Sequence, residues 1–306
     1  MTENVIIIGS GPAGLSAAIY TAREGFSPLV IGGFEAGGQL ELTSVVENMP
    51  GFPEGVNGPD LITLMRKQAE RFGARFIDQN VTSVNFKIKP FKVYSENNSY
   101  DATCVIVATG ASTKWLGIDS ERKFVGKGVS SCATCDAPLF KNKNVIVVGG
   151  GDTALEDAIF LTRFAKSVTV VHRRGELRAS KIMQDHAFAN PKITFTFNTT
   201  LKEIKGNGTV NSVVLTDTTS NKDREMATDG VFIAIGHEPN SSVFRGQLTV
   251  DDQGYIVTKD EVKTEIDGIY VAGDVADRVY KQAGTASGSG IKAALEVRSY
   301  LSRLQK

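Results

Sequence analysis

The chain has 306 residues, 41% of them hydrophobic, with 34 basic and 34 acidic side chains. That length can bury a real core in one long domain or two, and the balanced charge leaves no net field to attract nucleic acid or a membrane surface. The N-terminus "MTENVIIIGSG" lacks the positive charge of a secretory leader, and no apolar stretch reaches the ~18 residues that span a bilayer, so the expectation is a cytoplasmic protein.

The first element, "NVIIIGSGPAGLSAAIYTAREGFSPLVI" at 4–31, reads as an apolar β-branched strand, a G-x-G-x-x-G turn, a helix and a second apolar strand. That is the βαβ context a bare glycine pattern needs. The first glycine permits the tight turn, the second lets the backbone approach a pyrophosphate, and Gly14 lets helix and strand pack closely. Taken alone, such a turn belongs as readily to an ordinary parallel-sheet domain. The next segment, "GGFEAGGQLELTSVVENMPGF", has Gly32 where an acid for the ribose would stand. It is glycine-rich backbone with Gln39 and Asn48 as amide partners, which fits a large, permanently held ligand such as FAD. The helix "GPDLITLMRKQAERFG" then puts Leu61, Leu64, Met65, Ala69 and Phe72 on one core-facing side. "CVIVATGAS" (104–112) is a strand ending in a glycine turn, with Cys104 a buried small hydrophobe.

"SSCATCDAP" (130–138) holds Cys132 and Cys135 in a Cys-x-x-Cys spacing. Three cysteines are too few, and odd in number, for a disulfide framework. Zinc wants four Cys or His ligands, and His172, His186 and His237 are scattered, so no metal site is expected. A working dithiol leads, with a chance spacing still open.

"NVIVVGGGDTALEDAIFLTRFAKSVTVV" at 144–171 aligns with the first element without a gap at an offset of 140, with 11 of 28 positions identical, Gly9/Gly149 and Gly11/Gly151 among them. Two matched copies imply two dinucleotides, with Ala154 as the third small residue of the second turn. "HRRGELR" (172–178) follows, with arginines where an NAD site would place an acid; they suit a 2′-phosphate, and NADPH is the expected donor, against the plainer reading of a solvated basic turn. The polar stretch 199–230 reads as a β meander turning at Gly-Asn-Gly. "GIYVAGDVAD" (268–277) ends a strand at Asp274, where ligands bind in open α/β sheets, within reach of a ribityl hydroxyl or phosphate. "QAGTASGSGIKAALEVRSYL" is a helix rich in small residues at its start, suited to face an isoalloxazine or to pack plainly.

With "GGQL", "VENMPG", "CATCD", "GGGDTALE", "HRRGELR", "FIAIGHEPN" and "GIYVAGDV" together, the whole chain resembles the low-molecular-weight thioredoxin reductases, NADPH-dependent FAD disulfide reductases. The resemblance implies an α/β fold of two Rossmann-like domains, with an NADPH domain at 114–241 inserted in an FAD domain built from 1–113 and 242–306. The joining strands lie near "STKWLG" and "GHEPNSS". It implies FAD contacts from Gly9, Ser10, Gly11, Pro12 and Ala13, then from Gly32, Phe34, Glu35, Gly38, Gln39 and Asn48. Val84, Ala108 and Gly110 follow, with Gly273, Asp274, Gln282 and Ala283 near the end. For NADPH it implies Gly151, Asp152, Thr153, Ala154 and Glu156 at the turn, then His172, with Arg173, Arg174 and Arg178 at the 2′-phosphate, and Ile235 with Gly236.

The same resemblance implies that reduced flavin passes electrons to a Cys132–Cys135 disulfide, with Cys135 nearer the flavin, Cys132 the thiolate that attacks oxidised thioredoxin, and Asp136 the acid/base. An N-cap or turn role is the plain alternative for Asp136. Dithiol and nicotinamide travel on one domain and the flavin on the other, so a rotation of the NADPH domain is implied, in a homodimer. One departure stands out: the family commonly continues "CATCD" with Gly and an aromatic, whereas this chain has Ala137-Pro138, which removes a flexible residue and a backbone donor. A related flavin enzyme with another disulfide target, and a non-enzymatic redox sensor, are the competing functions.

Overall fold

The computed structural model describes residues 2–34, 36–42, 45–96 and 98–304. The chain divides into two compact units, Met1–Ser112 with Glu238–Lys306, and Thr113–His237. The unit boundaries fall at 112/113 and 237/238, within the strands Ala111–Thr113 and His237–Pro239.

In the first unit the strand Thr2–Ile8 lies between Leu29–Ile31 and Ser99–Val107, all parallel, with Arg75–Ile77 beyond Leu29–Ile31. The other edge of Ser99–Val107 takes antiparallel Phe91–Ser95 along its first half and parallel Ile269–Val271 along its second. Val5–Ile8 are all buried, as a central parallel strand covered on both faces requires. Alternation sorts them: Val5, Ile7, Cys104 and Ile106 face the helices Pro12–Arg23 and Ala283–Leu304, while Ile6, Ile8, Val105 and Val107 face a layer with Phe86, Phe91 and Phe244. Cys104 is fully buried, and burial pushes its thiol up to about 12.

The helix expected after the glycine-rich segment forms over Gly58–Arg71, with one correction. Leu61, Met65 and Ala69 are buried, Phe72 packs against the cluster that holds Ala69, but Leu64 is 50% exposed and Ile62 takes its place. At about 100° per residue, Leu61, Ile62, Met65 and Ala69 share an arc from whose centre Leu64 is turned roughly a third of a revolution.

The second unit is a five-stranded parallel sheet in the order Val129–Ser130, Gly230–Ile233, Asn144–Val148, Ser167–Val171, Ile193–Thr196. The helix Asp152–Leu161 covers the face of Val145 and Val147. The opposite face, Ile146 and Val148, packs on the antiparallel meander Thr199–Asn207, Thr209–Asp217, Asp223–Ala227. The meander turns through Gly206-Asn207-Gly208, with Gly208 at φ +82°.

The repeat in the sequence is a repeat in space. Gly9 N–H donates to the Ile31 carbonyl at 2.9 Å and Gly149 N–H to that of Val171 at 3.1 Å. Leu15 N–H reaches Gly11 at 2.9 Å, and Leu155 N–H reaches Gly151 at 3.2 Å. Each bond recurs at the 140-residue offset of the alignment.

Candidate functional site

In the first unit the turn Gly9–Gly14 leaves no room for a side chain at its first and last glycines. A Cβ on Gly9 would lie 2.2 Å from the Ala108 carbonyl oxygen, and one on Gly14 2.0 Å from that of Gly9. At Gly11 the space is open, with only the Gly37 oxygen at 3.8 Å, immediately before Pro12 begins the helix and Ala13 buries under it. Amides at a helix N-terminus facing open space make a cradle for a pyrophosphate. Ser10 ties the neighbouring loop to the turn: its hydroxyl donates to the Gly32 carbonyl at 3.2 Å and accepts from Gly37 N–H at 3.1 Å. The glycine at 32 has a steric reason, since a Cβ there would sit 2.8 Å from the Ser10 oxygen and 3.7 Å from the carboxylate of Asp78.

Around this cradle the chain brings distant residues together. Asn48 donates to the Gln282 side-chain carbonyl at 3.0 Å across 234 positions. Gly38 and Gln39 open the 3-10 turn Gly38–Leu42, Ala108 and Gly110 (φ +69°) end the strand Ser99–Val107, and Ala283 begins the last helix. Phe34 is 64% exposed, its N–H held at 3.3 Å by the Asn80 side chain, a residue sequence reasoning missed. Val84 is different: its side chain belongs to the core layer with Phe86, leaving only backbone to meet a ligand. Glu35 lies outside the described residues.

Asp274 follows Gly273, whose N–H donates to Ser289 Oγ at 2.7 Å. Among the described residues its buried Oδ1 has no hydrogen-bond partner, and burial, with Asp277 adding and Lys281 opposing, pushes the carboxyl up to about 6. Ser287 Oγ, on the helix Ala283–Leu304, is a second buried orphan. A buried polar atom left unpaired costs about 1–3 kcal/mol, so two of them point to a polar ligand that completes them. The amide cradle, the Asn48–Gln282 amides and these orphans fit the dinucleotide FAD.

The second unit repeats the cradle. A Cβ on Gly149 would meet the Ala234 carbonyl oxygen at 2.4 Å, matching Gly9 over Ala108, and Gly151 opens onto free space before the helix Asp152–Leu161. The third small residue is Ala154, buried, whose methyl the second copy accommodates where the first needs Gly14. Thr153 and Glu156 are exposed on the same helix, and Ile235 and Gly236 (φ +103°) follow the strand Gly230–Ile233. His172 is 5% exposed and its Nε2 has no hydrogen-bond partner among the described residues; burial holds its pKa below the usual histidine range, with Arg178 and Arg174 adding to the effect. Its ring fills the space beside Gly150, where a Cβ would strike Nδ1 at 2.3 Å. Arg173, Arg174 and Arg178 are exposed, and among the described residues no ion pair engages them. Residues 174–178 line a cleft of about 360 Å³. Cations without internal partners beside an amide cradle suit a nucleotide with an extra phosphate.

Cys132 and Cys135 are joined in a disulfide, with Cα atoms 5.3 Å apart. Cys132 stands in extended conformation at the start of the short helix Ala133–Asp136, and Asp136 closes that turn by donating its N–H to the Cys132 carbonyl at 3.1 Å. Two hydroxyls outside the sequence expectation attend the pair. Cys132 N–H donates to Ser130 Oγ at 3.0 Å, and Cys132 Sγ lies 3.4 Å from Thr134 Oγ1. Serine before and threonine within "SSCATC" was the readable signal. Ala137 continues directly into the 3-10 turn Ala137–Phe140, is fully buried, and anchors the dithiol segment in the unit's core.

Two dinucleotide-type cradles and a disulfide beside one of them define a class of nucleotide-linked disulfide oxidoreductases. The chain belongs to the pyridine nucleotide-disulphide oxidoreductase family, whose model matches residues 3–290. It is 51% identical over 306 residues to a thioredoxin reductase of Streptomyces clavuligerus, covering 99% of this chain and 95% of that one. To that of Rickettsia prowazekii (strain Madrid E) it is 48% identical over 308 residues, covering 99% of each. The crystal structure of thioredoxin reductase from Streptococcus pyogenes MGAS5005 superposes with a TM-score of 0.95 at 40% identity, with 99% of both chains covered. Thioredoxin reductase from Giardia duodenalis gives 0.93 at 39% identity, with 98% of both covered. Among the described residues no helix is long and apolar enough to cross a membrane.

Proposed function

We propose that the protein is a thioredoxin reductase, taking electrons from NADPH and delivering them through FAD and the Cys132–Cys135 pair to the disulfide of thioredoxin. The observation that carries it is the Cys132–Cys135 disulfide in a chain with two phosphate cradles, in a family of disulfide oxidoreductases. Met1–Ser112 with Glu238–Lys306 is the FAD-binding unit and Thr113–His237 the NADPH-binding unit of this reading.

FAD, when bound, supplies the two-electron carrier between nicotinamide and disulfide. The protein's residues do the rest. The amides at Gly11 would hold the pyrophosphate of FAD, and the unpaired Asp274 Oδ1 would serve as an acceptor for its hydroxyls. The cradle at Gly151 holds the pyrophosphate of NADPH, and Arg173, Arg174 and Arg178 take its 2′-phosphate. Two electrons open the Cys132–Cys135 bond to a dithiol. Cys132, as the thiolate, attacks one sulfur of the thioredoxin disulfide; Cys135 then attacks Cys132, re-forming the disulfide and releasing reduced thioredoxin. Asp136 moves the proton to and from the pair, and the Thr134 hydroxyl steadies the Cys132 thiolate. Nucleotide and dithiol belong to one unit and flavin to the other, so the proposal includes a rotation between the two transfers, in a cytoplasmic homodimer.

The test is NADPH oxidation by the purified protein with a panel of oxidised disulfide proteins. Yellow protein that releases FAD on denaturation and turns over with thioredoxin supports the reading. Turnover only with another disulfide makes it a related reductase, and no steady turnover makes it a sensor; colourless protein that takes up no FAD overturns it.

A further inference from the structure

Asp152 opens the helix Asp152–Leu161, directly behind Gly151 in the second cradle. An acid at that place faces where two phosphates would sit, and like charges there oppose binding. The structure gives its carboxylate another occupation. Asp152 Oδ1 accepts both the N–H of Ser180 at 2.8 Å and its hydroxyl at 2.7 Å, and these bonds hold its pKa below the usual carboxylate range.

Ser180 is the residue before the helix Lys181–Phe188, a position where a serine ordinarily caps the helix with its side chain. It makes no such capping bond. Its hydroxyl is diverted to Asp152, 28 residues back. A second tie lies alongside: the carbonyl of Gly150 accepts from Arg178 N–H at 2.7 Å and from Ala179 N–H at 3.1 Å. Behind Gly150 stands the buried ring of His172, the residue from which the arginine loop departs. The loop 173–178 is thus rooted at its start by His172, whose N–H donates to the Thr196 carbonyl at 2.9 Å, and at its end by the Gly150 and Asp152 ties.

We propose that Asp152 and Ser180 form a positioning clasp that fixes the arginine loop in register with the phosphate turn, so that the protein reads the spacing between the pyrophosphate and the 2′-phosphate of NADPH. The inference rests on the assignment of Thr113–His237 as the NADPH-binding unit. Exposed arginines on an unanchored loop would have to be ordered by the ligand at its own expense in affinity; a clasp made before binding removes that conformational cost. Asp152 acts through Ser180 and does not need to touch the nucleotide.

The experiment is calorimetric titration of the FAD-loaded protein with 2′,5′-ADP, which carries the discriminating phosphate, and with 5′-AMP, which does not. The preference for 2′,5′-ADP is the readout, since general damage to the unit weakens both ligands alike. Asp152→Ala removes both bonds and should lower that preference roughly tenfold or more, the scale of lost charge-assisted hydrogen bonds. Ser180→Ala, which keeps the N–H bond, should show a smaller loss in the same direction and serves if Asp152→Ala does not fold. Asp152→Asn keeps the Oδ1 acceptor for both donors and should restore the preference. The KM for NADPH should follow the same order, with that for NADH unmoved. A wild-type preference kept in Asp152→Ala and Ser180→Ala, or a loss shared equally by both ligands, overturns the clasp alone. A wild-type protein that binds both ligands alike, or an Arg173→Ala/Arg174→Ala variant that keeps the preference, overturns the nucleotide assignment and the clasp with it.

Discussion

Two glycines on the last helix should respond to the same substitution with opposite sign. Gly288 and Gly290 both lie within Ala283–Leu304, yet a Cβ on Gly288 meets nothing within 4 Å, whereas one on Gly290 would sit 2.0 Å from the carbonyl oxygen of Ala13. Gly290→Ala must therefore drive the two helices apart by about 1 Å, since the contact has to open from 2.0 Å to beyond 3.0 Å. Both sides of that contact are backbone, so no rotamer change relieves it. Overpacking costs roughly 1–3 kcal/mol, and a backbone clash belongs at the upper end. The better helix propensity of alanine returns about 1 kcal/mol, leaving a net loss of about 2 kcal/mol. At roughly 2–4 °C per kcal/mol, the Tm of the FAD-stripped protein should fall by about 4–8 °C. Gly288→Ala carries the propensity gain without the clash and should raise that Tm by about 2–4 °C. Because Ala13 is the second residue of the helix whose N-terminus forms the first cradle, Gly290→Ala should also loosen FAD. Differential scanning calorimetry of the stripped proteins, with FAD fluorescence on reloading, measures both. A Gly290→Ala protein that melts at or above the wild type and holds FAD equally well would refute the close approach of these helices.

The two cysteines should fail in different ways: Cys132→Ser leaves a thiolate next to oxidised flavin and gives a long-wavelength charge-transfer band, whereas Cys135→Ser loses the band but keeps a Cys132 that traps thioredoxin as a mixed disulfide. Neither variant should reduce thioredoxin, and the double variant should be little worse than either; near-normal turnover in one of them contradicts the relay. Asp274, with its carboxyl raised from 3.8 to about 6 by burial, binds its proton more tightly in the folded state. Its contribution is therefore fully present below about pH 4 and lost as pH rises through about 6, on the order of 3 kcal/mol in the FAD-stripped protein, and Asp274→Asn should flatten that part of the urea-denaturation profile. Cys104, fully buried with its thiol raised to about 12, should resist alkylation in the native reduced protein, so that mass spectrometry finds label only on Cys132 and Cys135 until the protein is unfolded.

Much of this site was readable along the chain because its parts are local. The turns at Gly9–Gly14 and Gly149–Ala154, the Cys-x-x-Cys pair and the arginines at 173–178 each lie within one short segment, and short-range backbone sterics and the strand and helix periods act within such segments. The internal repeat raised the two turns above chance, and the 140-residue offset reappears bond for bond in the two cradles. Leu64 marks where periodicity ran out: an apolar residue near the edge of a helical face is buried or exposed according to what packs there, and Ile62 took the core place.

What only the tertiary structure decided depends on distant segments approaching. "SGSG" does not say that Gly290 lies under the carbonyl of Ala13 while Gly288 faces open space. Nor does an aspartate at a helix start reveal that its donors come from Ser180, or an asparagine at 48 that it meets Gln282 across 234 positions. The orphaned oxygens of Asp274 and Ser287 are likewise invisible in sequence, because an atom is unsatisfied only once every neighbour that could pair with it has been placed. Local chemistry names the groups; the folding of the chain back on itself determines which are packed, which are paired and which await a ligand.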